Sequence, residues 1–161
     1  MPLHLMRVHA MKEEKGVGDM SSGMVAVGRF LLGLYFLVPG IMKFLQPDMH
    51  VGLMELHNVA LAEPLMWVAA MANVVGGVLL MTGRYVRLTA IGLVVYILLV
   101  NVMLHDFWNT YEGVSNQHEM QNFIKNLGIL AGLLVLAGHS ASRGLSLKGL
   151  WRSDKATARG N

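Results

Sequence analysis

The sequence predicts an all-α fold, a four-helix transmembrane bundle with both termini cytoplasmic. Three observations carry this. Hydrophobic residues make up 54% of the chain and charged residues only 14%, against roughly 25% charged in soluble domains. Apolar runs of about 20 residues, enough to cross a hydrocarbon core, recur along the chain. The basic residues then sort by side. With four spans, both tails and the Gly83–Arg87 loop share one side. Counting Arg29, that side holds eleven of the thirteen Lys and Arg, and only Lys43 and Lys125 lie toward the other. That other side carries Asp48, Glu55, Glu63, Asp106, Glu112 and Glu119. The positive-inside rule makes the tails cytoplasmic.

Composition also excludes chemistry. The chain has no cysteine, so it cannot hold a disulfide, a zinc–thiolate site or an iron–sulfur cluster of its own. Its basic residues sit at span ends and form no aromatic-interleaved face, so no nucleic-acid partner is expected. The partner that composition does require is the lipid bilayer.

Residues 1–22 are polar and mixed in charge, and read as a cytoplasmic tail with at most a short surface helix. No apolar core precedes Asp19, so this is not a signal peptide. The membrane domain is predicted over 23–140. Its first span runs from about Met24 to Leu45. Arg29, Gly33, Phe36, Gly40 and Lys43 share one helical face, and the glycines permit close approach of a neighbour. Pro39 is placed to kink that helix. Gln46-Pro47-Asp48 ends it. In the connector, Met49, Leu53, Leu56 and Ala60 recur at helical spacing and predict a short interfacial helix, with His50 and His57 off the stripe and facing water.

The second span runs from about Pro64 to Thr82. Asn73 lies near mid-depth, where an amide is expected to face another helix. The third span covers Leu88 to Phe107, the polar loop Thr110 to Gln121, and the fourth span Asn122 to His139. Gly128 and Gly132 on the fourth span predict a second close-packing face. Residues 141–161 read as a basic cytoplasmic tail.

The chemistry gathers at one end of the bundle. If the third span is helical through Phe107, Asn101, His105 and Trp108 fall on one face, with Asp106 beside them. Lys43, Lys125 and Asn126 reach a similar depth from the first and fourth spans. Ionisable groups at membrane depth cost roughly 2.5–3.5 kcal/mol each, so they pair or line a cavity. The plain reading pairs Asp106 with Lys125 or Lys43 and leaves Trp108 as an interface anchor. The sharper reading is a quinone or small-anion site. There His105 and Asp106 carry proton exchange. Lys43 or Lys125 stabilises negative charge on the ligand. Trp108 stacks on its ring, and Asn101 and Asn126 complete the binding set.

No haem is expected, because His105 and His139 lie at opposite ends of the bundle. The set His50, His57, His105 and His118 matches no metal-ligand spacing, so no metal site is assigned. The thirteen methionines sit mostly within apolar runs, where Met fills gaps. Arg29, Arg84 and Arg87 are expected to snorkel to headgroups.

Several stretches, taken in order, resemble the DoxX family of small bacterial membrane proteins. They are Gly28-Arg29 to Gly33, Phe36 to Lys43 with Pro39-Gly40, Gly76-Gly77 through Gly83 and Arg87, His105-Asp106-Phe107-Trp108-Asn109, Phe123 to Leu130, and Leu145-Ser146-Leu147. The resemblance implies a four-helix bundle in the bacterial inner membrane. It further implies a subunit of a quinone-linked redox complex, with ties to thiosulfate oxidation and to oxidative stress. One departure stands out, since many relatives carry a glutamate where this chain has Asn73. A non-catalytic scaffold that recruits a soluble or membrane oxidoreductase is the alternative reading. A homo-oligomer fits the small-residue faces. Whether the isolated chain catalyses anything stays open at this point.

Overall fold

The structure, a computed structural model, describes residues 3–140, with side chains from Ser21 onward. The expected basic tail at 141–161 lies outside the described residues. Five helices follow in order: α1 Leu3–Leu45, α2 Pro47–Leu56, α3 Ala62–Thr82, α4 Val86–Leu104 and α5 Asn116–His139. Four stretches are long and apolar enough to cross a membrane: Ser21–Leu45, Ala62–Thr82, Val86–Leu104 and Asn116–His139. Among the described residues there is no strand.

The first expected tail is helical from Leu3 and runs without a break into the first span. Leucine, methionine, lysine and glutamate fill its early turns, and these are good helix formers. α1 also continues through Pro39.

Glycine sets the packing of α1 on α3. A Cβ built on Gly77 would lie 2.7 Å from the Gly33 carbonyl oxygen and 2.8 Å from the Leu37 nitrogen. One built on Gly40 would lie 2.9 Å from the Val74 nitrogen. The two backbones touch, so no larger side chain fits between them. Gly33, Phe36 and Gly40 are buried as the shared face requires, with Arg29 and Lys43 half-buried at its two ends. Arg29 does not snorkel outward: its Nη1 donates to the Leu80 carbonyl at 2.8 Å, which ties α1 to the last turn of α3. The expected Gly128/Gly132 face makes no comparable contact. A Cβ on Gly128 would meet nothing within 4 Å, and one on Gly132 only the Leu32 side chain at 3.9 Å.

The α3–α4 turn is tight. Gly83 adopts φ 69° and closes α3, the left-handed cap that glycine takes without strain. α4 ends at Leu104, with His105 as its cap, three residues short of the expected end. The Asp106 carbonyl accepts from the Asn109 nitrogen at 2.8 Å and the Asp106 carboxylate from the Asn109 amide at 2.6 Å. Such local Asp–Asn bonds compete with continued helix. α5 starts at Asn116, earlier than the loop reading gave, because Ser115 caps it by accepting from the His118 nitrogen.

α2 is the expected short helix, with Pro47 in its first turn. Its stripe lies outward, as an interfacial helix requires, but His57, expected to face water, is buried. Met49, Leu53 and Leu56 are about half exposed, while Met54 and His57 are buried against the bundle. The apolar stripe therefore points away from the protein, toward the surrounding medium. One apolar core gathers Phe36, Leu80, Leu93, Ile97 and Leu133. A smaller one under α2 gathers Met54, Ala62, Met66 and Ala70.

Candidate functional site at the α2 end of the bundle

The sequence-predicted residues divide into three groups. Asn101 and Asn126 find each other. Asn126 Nδ2 donates to Asn101 Oδ1 at 2.8 Å, Asn101 Nδ2 donates to the Phe123 carbonyl at 3.3 Å, and Tyr35 donates its hydroxyl to Asn126 Oδ1 at 3.2 Å. Both amides are under 5% exposed. This is a closed clasp between α4, α5 and α1, and its polar atoms are largely spent on one another.

Asp106 belongs to the loop. Its Oδ2 accepts from Tyr111 and from Asn109, each at 2.6 Å. Burial alone would push the carboxyl upward. The hydrogen bonds from Tyr111, Asn109 and its own backbone, with the nearby His57, outweigh that and hold it below the ordinary aspartate range. The same bond raises the Tyr111 phenol. His57 faces inward. Its Nδ1 lies 2.8 Å from the Leu53 carbonyl and its ring 4.9 Å from that of Tyr111. The expected pairing of Asp106 with a lysine does not occur: Tyr111 and Asn109 take Oδ2, and the buried Oδ1 has no hydrogen-bond partner. Lys125 instead donates to Asn122 at 2.9 Å on the exposed side of α5. Trp108 is half exposed and packs edge-on against Phe107 and Phe123. With α4 ended at Leu104, Trp108 no longer shares a face with Asn101 and His105.

Lys43 and His105 form the third group, and a cavity unites them. A space of about 290 Å³ lies between α3 and α4 beneath α2. Its walls are apolar, among them Met54, Met66, Ala69, Leu99 and Met103. Its polar lining is Lys43, His50, Tyr96 and His105. Val68, Leu99 and Met103 are also exposed on the outer surface of the spans. His105 Nδ1 lies 2.5 Å from Glu119 Oε2. A carboxylate there fixes the proton on Nδ1 and leaves Nε2 as the exchangeable nitrogen. His50 Nδ1 is likewise engaged, by the Gln46 carbonyl at 2.8 Å. Among the described residues no acid pairs with Lys43; the ion pair seen there is His105–Glu119. No group of three metal-binding side chains occurs among them either.

Sequence reasoning put His50 and Glu119 on this side of the membrane but did not count them, or Tyr96, among the site residues. Glu119 had a usable signal. Once Ser115 caps α5 at Asn116, Glu119 stands in the first turn, where an acid is favoured.

Four apolar spans with this packing define a multi-pass α-helical membrane protein. The DoxX family profile matches residues 24–106, just over half of the chain, and the protein belongs to the DoxX family. The match runs from the first span to the His105-Asp106 pair, and α5 lies beyond it. No curated protein and no solved structure matches the chain.

Proposed function

We propose that this protein is a bacterial inner-membrane subunit of a quinone-linked redox complex, with both termini in the cytoplasm and the α2 end outside. The cavity between α3 and α4 is its quinone head-group site. The observation that carries the reading is the lining of that cavity: apolar walls shared with exposed positions of the spans, with an unpaired lysine and a carboxylate-anchored histidine at one end. About 290 Å³ is near the lower bound for small-molecule sites, which are mostly apolar with a few placed polar groups. A planar lipid-soluble ring fits that description.

Bound quinone would supply two-electron, two-proton redox capacity. The chain's own part is to hold, orient and protonate. Lys43 places positive charge where ligand oxygen carries negative charge, in surroundings where that charge is little screened. Glu119 orients His105 so that Nε2 can give or take a proton at the cavity. The apolar walls exclude water. Asn101, Asn126, Trp108 and Lys125 act around the site as clasp and anchor, and Asp106 shapes the loop that follows His105.

Wild type and Lys43→Met, purified in mild detergent at matched lipid content, separate this reading from the scaffold alternative. The expected result is co-purifying quinone near one per chain in wild type and a loss of at least fivefold in Lys43→Met. Equal quinone in both, at the level of bulk lipid, contradicts the proposal and favours a non-catalytic scaffold for an oxidoreductase partner.

A further inference from the structure

A separate space lies between α3 and α4 toward the Gly83 turn. It is an open groove of about 340 Å³, lined by apolar residues apart from a few hydroxyl groups. Two glycines shape it. A Cβ built on Gly76 would lie 3.0 Å from the Leu93 side chain, so the two helices touch there. A Cβ built on Gly92 would meet nothing within 4 Å. The helices therefore close at Gly76 and leave open space beside Gly92. Val75 and Leu88 also line the groove and are about half exposed. Both belong to stretches long and apolar enough to cross a membrane.

Shape and charge say what fills it. The groove follows α4 from Leu88 to Tyr96, a rise of about 12 Å. Its mean section is then about 30 Å². A helix, about 10 Å across, needs more than twice that. A single hydrocarbon chain has the matching girth. At the turn end the lining changes to Tyr85 and Thr89. Arg84 and Arg87 stand beside these two in the sequence, Arg84 half-buried and Arg87 exposed. The first turn of α4 carries no acid. Over residues 21–140 every acid lies at the α2 end of the bundle, on α2, the first turns of α3 and α5, or the loop after α4. The turn end is thus positive, and the start of α4 adds its own partial positive charge.

We infer that this groove binds an anionic phospholipid, with one acyl chain between α3 and α4 and its phosphate at Arg84 and Arg87. Arginines that merely reach for headgroups at a membrane boundary require no groove. An uncharged or zwitterionic lipid makes no use of the turn. The inference is independent of the quinone reading, which concerns the other end of the same pair of helices.

The test uses the full chain, stripped of lipid in mild detergent, with phosphatidylglycerol and phosphatidylcholine of identical acyl chains as probes. Native mass spectrometry measures the affinity of the first bound lipid. Wild type should prefer phosphatidylglycerol by about fivefold for each arginine engaged. Gly92→Leu puts a side chain into the groove and should weaken phosphatidylglycerol binding about fivefold or more. Its thermal midpoint should hold, because the position is open and leucine is the better helix former. Arg84→Gln/Arg87→Gln should lose the preference and keep the phosphatidylcholine affinity. That double variant leaves the groove itself intact, so it decides the matter even where Gly92→Leu is unstable. Equal binding of the two lipids by wild type overturns the inference, as does wild-type lipid binding in a folded Gly92→Leu. Glycerol phosphate that competes as well as the whole lipid overturns it by showing a site for the headgroup alone. A Gly92→Leu chain that turns from dimer to monomer with lipid binding unchanged overturns it in favour of a second copy in the groove.

Discussion

Gly77→Val lowers stability by about 3 kcal/mol, at the upper end of what overpacking costs. The added carbons would enter a space where a Cβ alone lies 2.7 Å from the Gly33 carbonyl oxygen and 2.8 Å from the Leu37 nitrogen. Both obstacles are backbone, so neither can rotate away. α1 and α3 must separate, and the contacts around Gly33 and Gly40 loosen with them. Thermal unfolding in detergent, followed by circular dichroism, reads the loss. Gly92→Ala is the matched control, because a Cβ there meets nothing within 4 Å. Its midpoint should stay at the wild-type value or rise slightly, since alanine is the better helix former. A wild-type midpoint in Gly77→Val would mean that α1 and α3 do not meet through these glycines.

Asn101→Leu is expected to cost about 2 kcal/mol for a different reason. Leucine is of similar size, so the loss is one of hydrogen bonding. Asn126 Nδ2, which donates to Asn101 Oδ1 at 2.8 Å, is left buried without an acceptor. An orphaned buried donor costs on the order of 1–3 kcal/mol, whereas replacing both partners by apolar groups is nearly neutral. The double variant Asn101→Leu/Asn126→Leu should therefore be more stable than Asn101→Leu alone. Unfolding midpoints of the two singles and the double, taken as a double-mutant cycle, measure this coupling. Additive losses would show that the two amides act independently.

These two interfaces show how far the sequence could be read. The four spans were legible because hydropathy and length are properties of each segment alone. The Gly33/Gly40 face was legible because a period of seven on one helix is visible in one helix. Its partner glycine was not, since nothing local in α3 distinguishes Gly77 from Gly76. The same reasoning failed at Gly128 and Gly132, where two glycines four apart meet no backbone within 4 Å among the described residues. Spacing shows that close approach is permitted, but only topology shows that it happens.

The site was legible as an end of the bundle and not as a set of contacts. Asn101, Asn126, Lys43, His105, Asp106, Trp108 and Lys125 do gather at the α2 end. Which of them share a space depends on where α4 stops, and that is decided by the bonds Asp106 makes to Asn109 and Tyr111. Ending at Leu104, the helix releases Trp108 to the surface and leaves His105 between Glu119 and the cavity. His57 was misplaced because α2 packs a second face, that of Met54 and His57, against the bundle, which its own apolar stripe does not reveal.

The central claim is that the space between α3 and α4 at the α2 end holds a quinone ring. Photolabelling tests it most directly, with a quinone carrying a photoreactive group on the ring and the adducts mapped by peptide mass spectrometry. Saturable labelling within Leu65–Ala72 and Tyr96–His105, displaced by excess unlabelled quinone, is the predicted result. Labelling that does not saturate, or that falls on the exposed α5 surface around Ile124, Leu127 and Val135, would contradict it.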